Sequence, residues 1–520
     1  MSMLAAVLEA TRAHAERPAI TAGARTLTFG QLGDRIERVA AGLADAGIRP
    51  GDRVAFSVRP SLDAVVLALA ICRAGGSIAF VDLGAGPELL AARLALAAPQ
   101  WTAAESVLHL VSAPGLRRIA RSRGIDLPAY ASLLPDARHI VTGRRLPGAP
   151  RGALRLDRLA RSHPRPLPMP DPSADALLIF TSGTTGTPKA VVHTLASLGA
   201  GLRDVRDGLG LEPGLAVLTD QLMIGIPALI AGAHWTLPPV GLDPGAAPER
   251  YLPLLDRAEA IFCSPAGLDA MLRLLDERSA AAGDLSLIAL GGAPVLPPLV
   301  ERAMRRFPDA RIRCVYGMSE ILPVAIADGA EKLGRGSEGD VVGRIVPSVR
   351  ARLDEGELVL SGPGLARAYL HELPNELAEV RTGDLARIDP VPGDTGGGRL
   401  TLLGRKKDML LRGTQNVYVG LYEPIIASLP GVADTAMVGI PDAIGDDRIV
   451  VAVVPEGAPE DLAPDPAHPL ARRVAAALPG LIDHGALPDL VVAIGALPRR
   501  GRMRKPDRPA LVALVAPLVD

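Results

Sequence analysis

Leu178-Ile-Phe-Thr-Ser-Gly-Thr-Thr-Gly-Thr-Pro-Lys189-Ala-Val-Val192 passes from an apolar run through small polar residues to a second apolar run. The residues Leu177 to Phe180 predict a short buried strand, since a continuous apolar run of this length suits a strand covered on both faces. Thr181 to Thr187 then break the pattern, closed by Pro188 and Lys189. Gly183 and Gly186 let backbone N–H groups approach an anion with no Cβ in the way. The hydroxyls of Thr181, Ser182, Thr184 and Thr185 add donors, and Lys189 adds a mobile positive charge. By composition this is a phosphate cradle. It is not the GxxxxGK[ST] loop, because Lys189 comes three residues after Gly186 with Pro188 between. A Ser/Thr/Gly linker has a similar composition, but linkers are seldom bounded by two apolar runs.

The segment resembles the phosphate-binding signature of the AMP-forming carboxylate-activating enzymes: acyl-CoA synthetases, peptide-synthetase adenylation domains and luciferases. The resemblance implies an α/β fold, with a large multi-layer N-terminal domain and a small mobile α+β C-terminal domain. It also implies a reaction in which a carboxylate and ATP form an acyl adenylate and pyrophosphate. The rest of the chain should then carry the remaining parts in a fixed order.

At 520 residues the chain is too long for one ordinary domain. Hydrophobic residues make up 48%, enough for a sizeable core, yet no uninterrupted apolar run reaches membrane-spanning length. The N-terminal Met-Ser-Met-Leu-Ala-Ala-Val-Leu-Glu9 meets an acidic residue too early for a secretory leader, so a soluble, cytoplasmic protein is expected. The 56 basic residues balance 57 acidic ones, which argues against nucleic acid or an anionic membrane as partner. Cys72, Cys263 and Cys314 stand far apart and read as buried apolar residues rather than ligands.

From residue 27 the chain alternates predicted helices and strands. A helix carries Ile36, Val39, Ala40 and Leu43; a strand opens at Arg53; a helix covers Leu62 to Cys72; a strand covers Ser77 to Val81. This is the α/β pattern. Residues 141–173, rich in Arg and Pro, read as a surface connection. A helix is predicted over Leu195 to Leu209. In Leu218-Thr-Asp-Gln-Leu-Met-Ile-Gly-Ile-Pro227, Gln221 and Leu222 stand where the family often has an aromatic followed by His. The apolar wall of Leu222, Met223, Ile224 and Ile226 then implies an uncharged, mainly aliphatic acyl chain.

The later checkpoints follow in the family's order. Ile288-Ala-Leu-Gly-Gly-Ala-Pro294 resembles the adenine-side loop, which assigns Gly292, Ala293 and Pro294 to the nucleotide. In Tyr316-Gly-Met-Ser-Glu320, Tyr316 offers a flat face to a purine, Gly317 allows close approach, and Ser319 can donate to the α-phosphate. Glu320 can hold Mg²⁺, a hard cation that prefers oxygen ligands. Asp384 of Arg381-Thr-Gly-Asp384 can accept from both ribose hydroxyls, as acidic residues do in dinucleotide sites. In Gly404-Arg-Lys-Lys-Asp408, Arg405 is expected near ribose and phosphates, and Lys407 takes the hinge position. That divides the chain into a large ATP- and acyl-binding domain, 1–406, and a small domain, 407–520. Near the end, Lys505 takes the place of the family's terminal lysine.

The resemblance therefore implies that Lys505, Glu320, Thr184 and Lys189 act on the reacting phosphates. ATP, Mg²⁺ and coenzyme A are the expected small-molecule requirements, with a small carboxylic acid as the other substrate. Transfer to a carrier-protein thiol is one alternative. A second comes from Val81-Asp-Leu-Gly-Ala-Gly86 and Ser319-Glu-Ile-Leu-Pro-Val-Ala325, which resemble the β-lactone synthetases of bacterial olefin biosynthesis. Those close a ring with the substrate's own hydroxyl. A non-catalytic AMP-binding relic is the non-enzyme alternative.

Overall fold

The computed structural model describes the chain apart from residues 82–86, 114–115, 117–132, 182–188, 279–282, 334–338, 392–396, 407–408, 413–414, 442–446, 483–485, 501–504 and 520. Among the described residues the large N-terminal α/β domain is built on two sheets. One has thirteen strands, with Arg311–Met318 and Leu287–Gly291 near its middle. On one side of them the neighbours Ala260–Cys263 and Ala216–Leu218 run parallel, joined by helices. On the other side Ile321–Asp328, Asp340–Ile345, Arg399–Arg405, Val380–Asp389 and Glu357–Ser361 run antiparallel. The second sheet has eight strands, and Asp175–Thr181 pairs parallel with Ser77–Phe80 and antiparallel with Lys189–Thr194.

The helices form where the apolar period predicts them. Phe29–Asp45 opens on a capping box of Thr28 and Gln31, and buries Leu32, Ile36, Val39, Ala40 and Leu43. Leu195–Leu209 opens on a second box, Thr194 with Ser197, and buries Leu198, Leu202, Val205 and Leu209. The first face and Leu198 and Leu202 of the second feed one large core that also takes Phe29, Phe56, Trp101 and Trp235, while Val205 and Leu209 join a smaller core with Val217 and Ile224.

Two expectations need correction. Residues 141–173 are not only a surface connection: they hold a short strand, Leu154–Arg155, and a helical turn, Leu156–Leu159. Leu156 and Leu159 are buried, and Arg73 donates to the carbonyls of Leu167 and Pro168 at 2.8 Å while pairing with Glu37. The apolar wall at 222–226 is the second. Leu222–Ile230 is a helix, and Ile224 and Ile226 face the core. Gly225 is required there, since a Cβ would sit 2.1 Å from the Trp235 indole. Only Leu222 and Met223 keep partly exposed side chains.

The smaller C-terminal domain carries the sheet Val432–Pro441, Asp447–Pro455 and Leu490–Ala493. Val419–Ala427 and Pro469–Ala477 pack on one face, through Ile426, Leu470 and Val474. Arg508–Val515 packs on the other, through Leu511 and Val515. Among the described residues no helix is long and apolar enough to cross a membrane. All three cysteines are buried, as expected, and burial pushes each thiol up to about 12.

His109 gives the fold a pH dependence. The ring is buried and lies edge-on to His139, with centroids 6.2 Å apart. Burial first, and the His139 charge second, push the imidazole from 6.5 down to about 4. The unfolded chain is then the better proton binder, so the stabilisation is complete above about 6.5 and falls as pH drops toward about 4. The thermal midpoint should fall over that window, and His109→Gln should flatten the fall. Parallel curves for the two proteins would refute the assignment.

Candidate active site

The site lies where the carboxyl ends of strands from both sheets meet, the place where open α/β sheets bind ligands. Asp175–Thr181 delivers the chain to Thr181, and Lys189 opens the return strand opposite it. Ser182, Gly183, Thr184, Thr185 and Gly186 lie outside the described residues, as does the Thr181 side chain. On the larger sheet, Arg311–Met318 turns through Ser319-Glu320 into Ile321–Asp328. A Cβ at Gly317 would sit 2.4 Å from Leu322 Cδ1, so a larger residue there would have to displace that side chain.

A short crossing segment, Ala366 to Tyr369, sews the sheets together at this point. The Ala366 amide donates to the Glu320 carbonyl at 2.7 Å, and the Arg367 amide donates to the Val192 carbonyl at 2.8 Å. Ala368 and Tyr369 pair antiparallel with Val192 and Val191. The Tyr369 hydroxyl then donates to Glu320 Oε1 at 2.9 Å, and the Lys189 ammonium stands over the Tyr369 ring, 5.2 Å from its centre. Glu320 itself is buried. One carboxylate, one phenol and one ammonium thus meet at the end of the phosphate-loop strand.

His193 reinforces the same seam from below. Its Nε2 lies 2.7 Å from the Ser319 carbonyl oxygen and its Nδ1 lies 3.2 Å from Ser197 Oγ. A carbonyl only accepts, so Nε2 carries the proton and Nδ1 faces the hydroxyl. Burial lowers its pKa and keeps the ring neutral, against the opposing pull of the Ser319 carbonyl.

The residues expected on the nucleotide side are linked across the larger sheet. The Tyr316 hydroxyl donates to Asp384 Oδ2 at 2.6 Å, so the residues expected at purine and ribose form one unit. Asp384 is buried and faces Arg405 in register across the sheet. The turn before it is held by Thr382, whose hydroxyl accepts from the Asp384 amide at 3.0 Å and donates to the Leu358 carbonyl at 2.9 Å. Gly383 takes φ +71°, a conformation that favours glycine. Gly292, Ala293 and Pro294 follow the strand Leu287–Gly291 at its carboxyl end.

The side chains of Arg405 and Lys505 and all of Lys407 lie outside the described residues. The backbone places Lys505 in a hairpin, Arg499–Arg500 against Lys505–Pro506. Tyr369, His193 and Glu357 were missed by motif reading. None stands in a recognisable signature, and Tyr369 sits on a strand only two residues long.

Comparison with known proteins bears on this geometry. The AMP-binding enzyme model matches residues 7–370, and the AMP-binding enzyme C-terminal domain matches 422–502. The chain is 29% identical over 527 residues to an indoleacetate–CoA ligase of Aromatoleum aromaticum, covering 94% of each. It is 26% identical over 517 residues to an olefin beta-lactone synthetase of Stenotrophomonas maltophilia, covering 89% of this chain and 88% of that one. Its fold matches the amide bond synthetase McbA from Marinactinospora thermotolerans with a TM-score of 0.78 at 22% identity, covering 98% and 99% of the chains. The chain belongs to the AMP-binding enzyme family: it is an adenylate-forming ligase that uses ATP to activate a carboxylic acid.

Proposed function

We propose that the acceptor is coenzyme A and that the acid carries an uncharged, mainly aliphatic acyl chain. The observation that carries the reading of the site is the short run Tyr316 to Glu320, which bonds Asp384 at its start and at its end holds the Glu320–Tyr369 pair beside Lys189. In the proposed reaction a carboxylate oxygen attacks the α-phosphorus of ATP. The bond to pyrophosphate breaks and the acyl adenylate forms. Asp384 accepts from the ribose hydroxyls, Tyr316 and the 292–294 turn flank the purine, and Ser319 reaches the α-phosphate. Lys189, the Thr181–Gly186 loop and Lys505 stabilise charge on the phosphoryl oxygens, so catalysis is positioning plus electrostatics. Arg405 lies near ribose and phosphates.

Mg²⁺ fits the donor set. Glu320 offers a carboxylate beside the phosphate loop, and among the described residues no cluster of three acidic, His or Cys groups competes for it. An ion held by one carboxylate and substrate phosphates is the usual Mg²⁺ arrangement. When bound it supplies neutralisation of phosphate charge.

In the second half-reaction a thiol attacks the acyl carbonyl and AMP leaves. The small domain, from residue 407, turns at Lys407 to bring the 412–416 loop to the acceptor. Support for coenzyme A comes from the indoleacetate–CoA ligase that matches across 94% of both chains. Leu222 and Met223, the partly exposed members of their helix, favour an apolar chain. Each methylene buried there contributes about 0.8 kcal/mol, so kcat/KM should rise about fourfold per methylene until the space is full.

A second reading, ring closure on a 3-hydroxy acid, is favoured by the beta-lactone synthetase that matches 89% of this chain. Mass spectrometry of a 3-hydroxy acid incubated with ATP and no coenzyme A separates the two. A coenzyme A ligase stalls at the adenylate. Repeated turnover to a product one water lighter than the acid would install the second reading.

A further inference from the structure

Glu357 is a buried carboxylate, 5% exposed, at the start of the strand Glu357–Ser361. Three residues from two neighbouring strands and their ends converge on it. Its Oε1 accepts from the Gly383 amide at 3.1 Å, inside the turn that carries Asp384. Its Oε2 accepts from Arg381 Nε at 3.2 Å and Arg381 Nη2 at 3.1 Å. The same oxygen takes the Lys406 ammonium at 3.3 Å. Lys406 is the last described residue before position 407, and it follows Arg405, which faces Asp384 across the strand pair.

The arms differ in strength. The Gly383 amide and the Arg381 fork are charge-assisted bonds from one strand. The Lys406 and Arg381 side chains are similarly exposed, at 52% and 47%, but Arg381 forks onto Glu357 and also bonds Asp354, so the single Lys406 contact on its flexible stem is the arm that can be released and remade. A buried carboxylate stripped of one partner binds the others more strongly or shifts the turn that holds them, because leaving it unpaired is costly.

The geometry points to Glu357 as a positioning residue that couples nucleotide binding to the hinge. It sets the Thr382–Asp384 turn through Gly383, and through Lys406 it ties that turn to the chain entering position 407. ATP on Asp384 and the setting of the hinge strand therefore report to each other through one carboxylate. The inference rests on the reading of Asp384 as the ribose residue and of Lys407 as the hinge.

The test uses the full chain, ATP and Mg²⁺, with affinity from calorimetry and backbone hydrogen exchange over 399–418. In wild type, ATP changes exchange in that stretch. Lys406→Met should lose the ATP-induced change and weaken ATP less than Glu357→Gln does, because the coupling is reciprocal. Glu357→Gln should weaken ATP about tenfold and lose it as well. Asp384→Asn tests the underlying reading separately, and normal ATP affinity there would defeat the ribose assignment. If Asp384→Asn weakens ATP but Glu357→Gln does not, the coupling proposal falls. It also falls if Lys406→Met keeps the full exchange response. Lys406 lies at the surface, so the second criterion stands even where Glu357→Gln fails to fold.

Discussion

Lys505→Ala should lower acyl-adenylate formation by about 10² or more while leaving acyl transfer from a supplied adenylate near wild type. The magnitude is that of removing one group aimed at charge that develops only in the transition state. The described residues on either side of Lys505 make their own contacts, which makes the experiment readable. Asp507 caps the following helix by accepting from the Ala510 amide at 3.2 Å. Arg508 forks onto both oxygens of Glu423, at 2.8 Å and 3.0 Å, and donates to the Met437 carbonyl at 2.6 Å. Arg499, on the partner strand of the hairpin, pairs with Asp434. None of these flanking contacts uses the lysine side chain, so they should survive its truncation. Pyrophosphate release measures the first half-reaction, and thioester formation from synthetic adenylate measures the second. Equal loss of both would mean the flanking contacts have failed, and the assigned role would fall with them.

What could be read from the residues divides along physical lines. Helix Leu195–Leu209 was legible to both ends, because its apolar stripe, its Thr194 cap and its terminal glycine all agree. The pairing of Tyr316 with Asp384 was not legible, because it joins residues 68 positions apart in the chain. Nor was Tyr369, because its role comes from a two-residue strand crossing between sheets. Glu357, at the start of a strand, stands in no local signature. Its meaning depends on Gly383 and Lys406, which are 26 and 49 residues away in the chain. The Leu222–Ile230 run was misread in part for a different reason. A segment apolar on every side has the same pattern whether it lines a pocket or fills a core, and only the Gly225–Trp235 approach separates the two.

Glu320→Gln should raise the Mg²⁺ concentration for half-maximal adenylate formation by about 10-fold or more, because a neutral amide is a poorer ligand for a hard dication. The carboxylate does not stand alone. Tyr369 donates to its Oε1 at 2.9 Å, fixing the direction in which the remaining lone pairs point. Burial and the Glu320 charge push the Tyr369 phenol well above its usual value, so the hydroxyl keeps its proton and remains a donor across the working pH range. Tyr369→Phe should therefore shift the Mg²⁺ titration in the same direction by a factor of about 10, the lower end of what losing an outer partner of a metal ligand costs. In the double variant the tyrosine has no carboxylate to orient, so its effect should largely vanish. Titrating Mg²⁺ against pyrophosphate release at saturating ATP for the four proteins measures all of this. Coincident curves for wild type and Glu320→Gln would remove Glu320 from the metal and leave it as a structural acceptor for Tyr369. A full Tyr369→Phe effect in the Glu320→Gln background would instead show the phenol acting through Lys189, whose ammonium stands 5.2 Å over its ring.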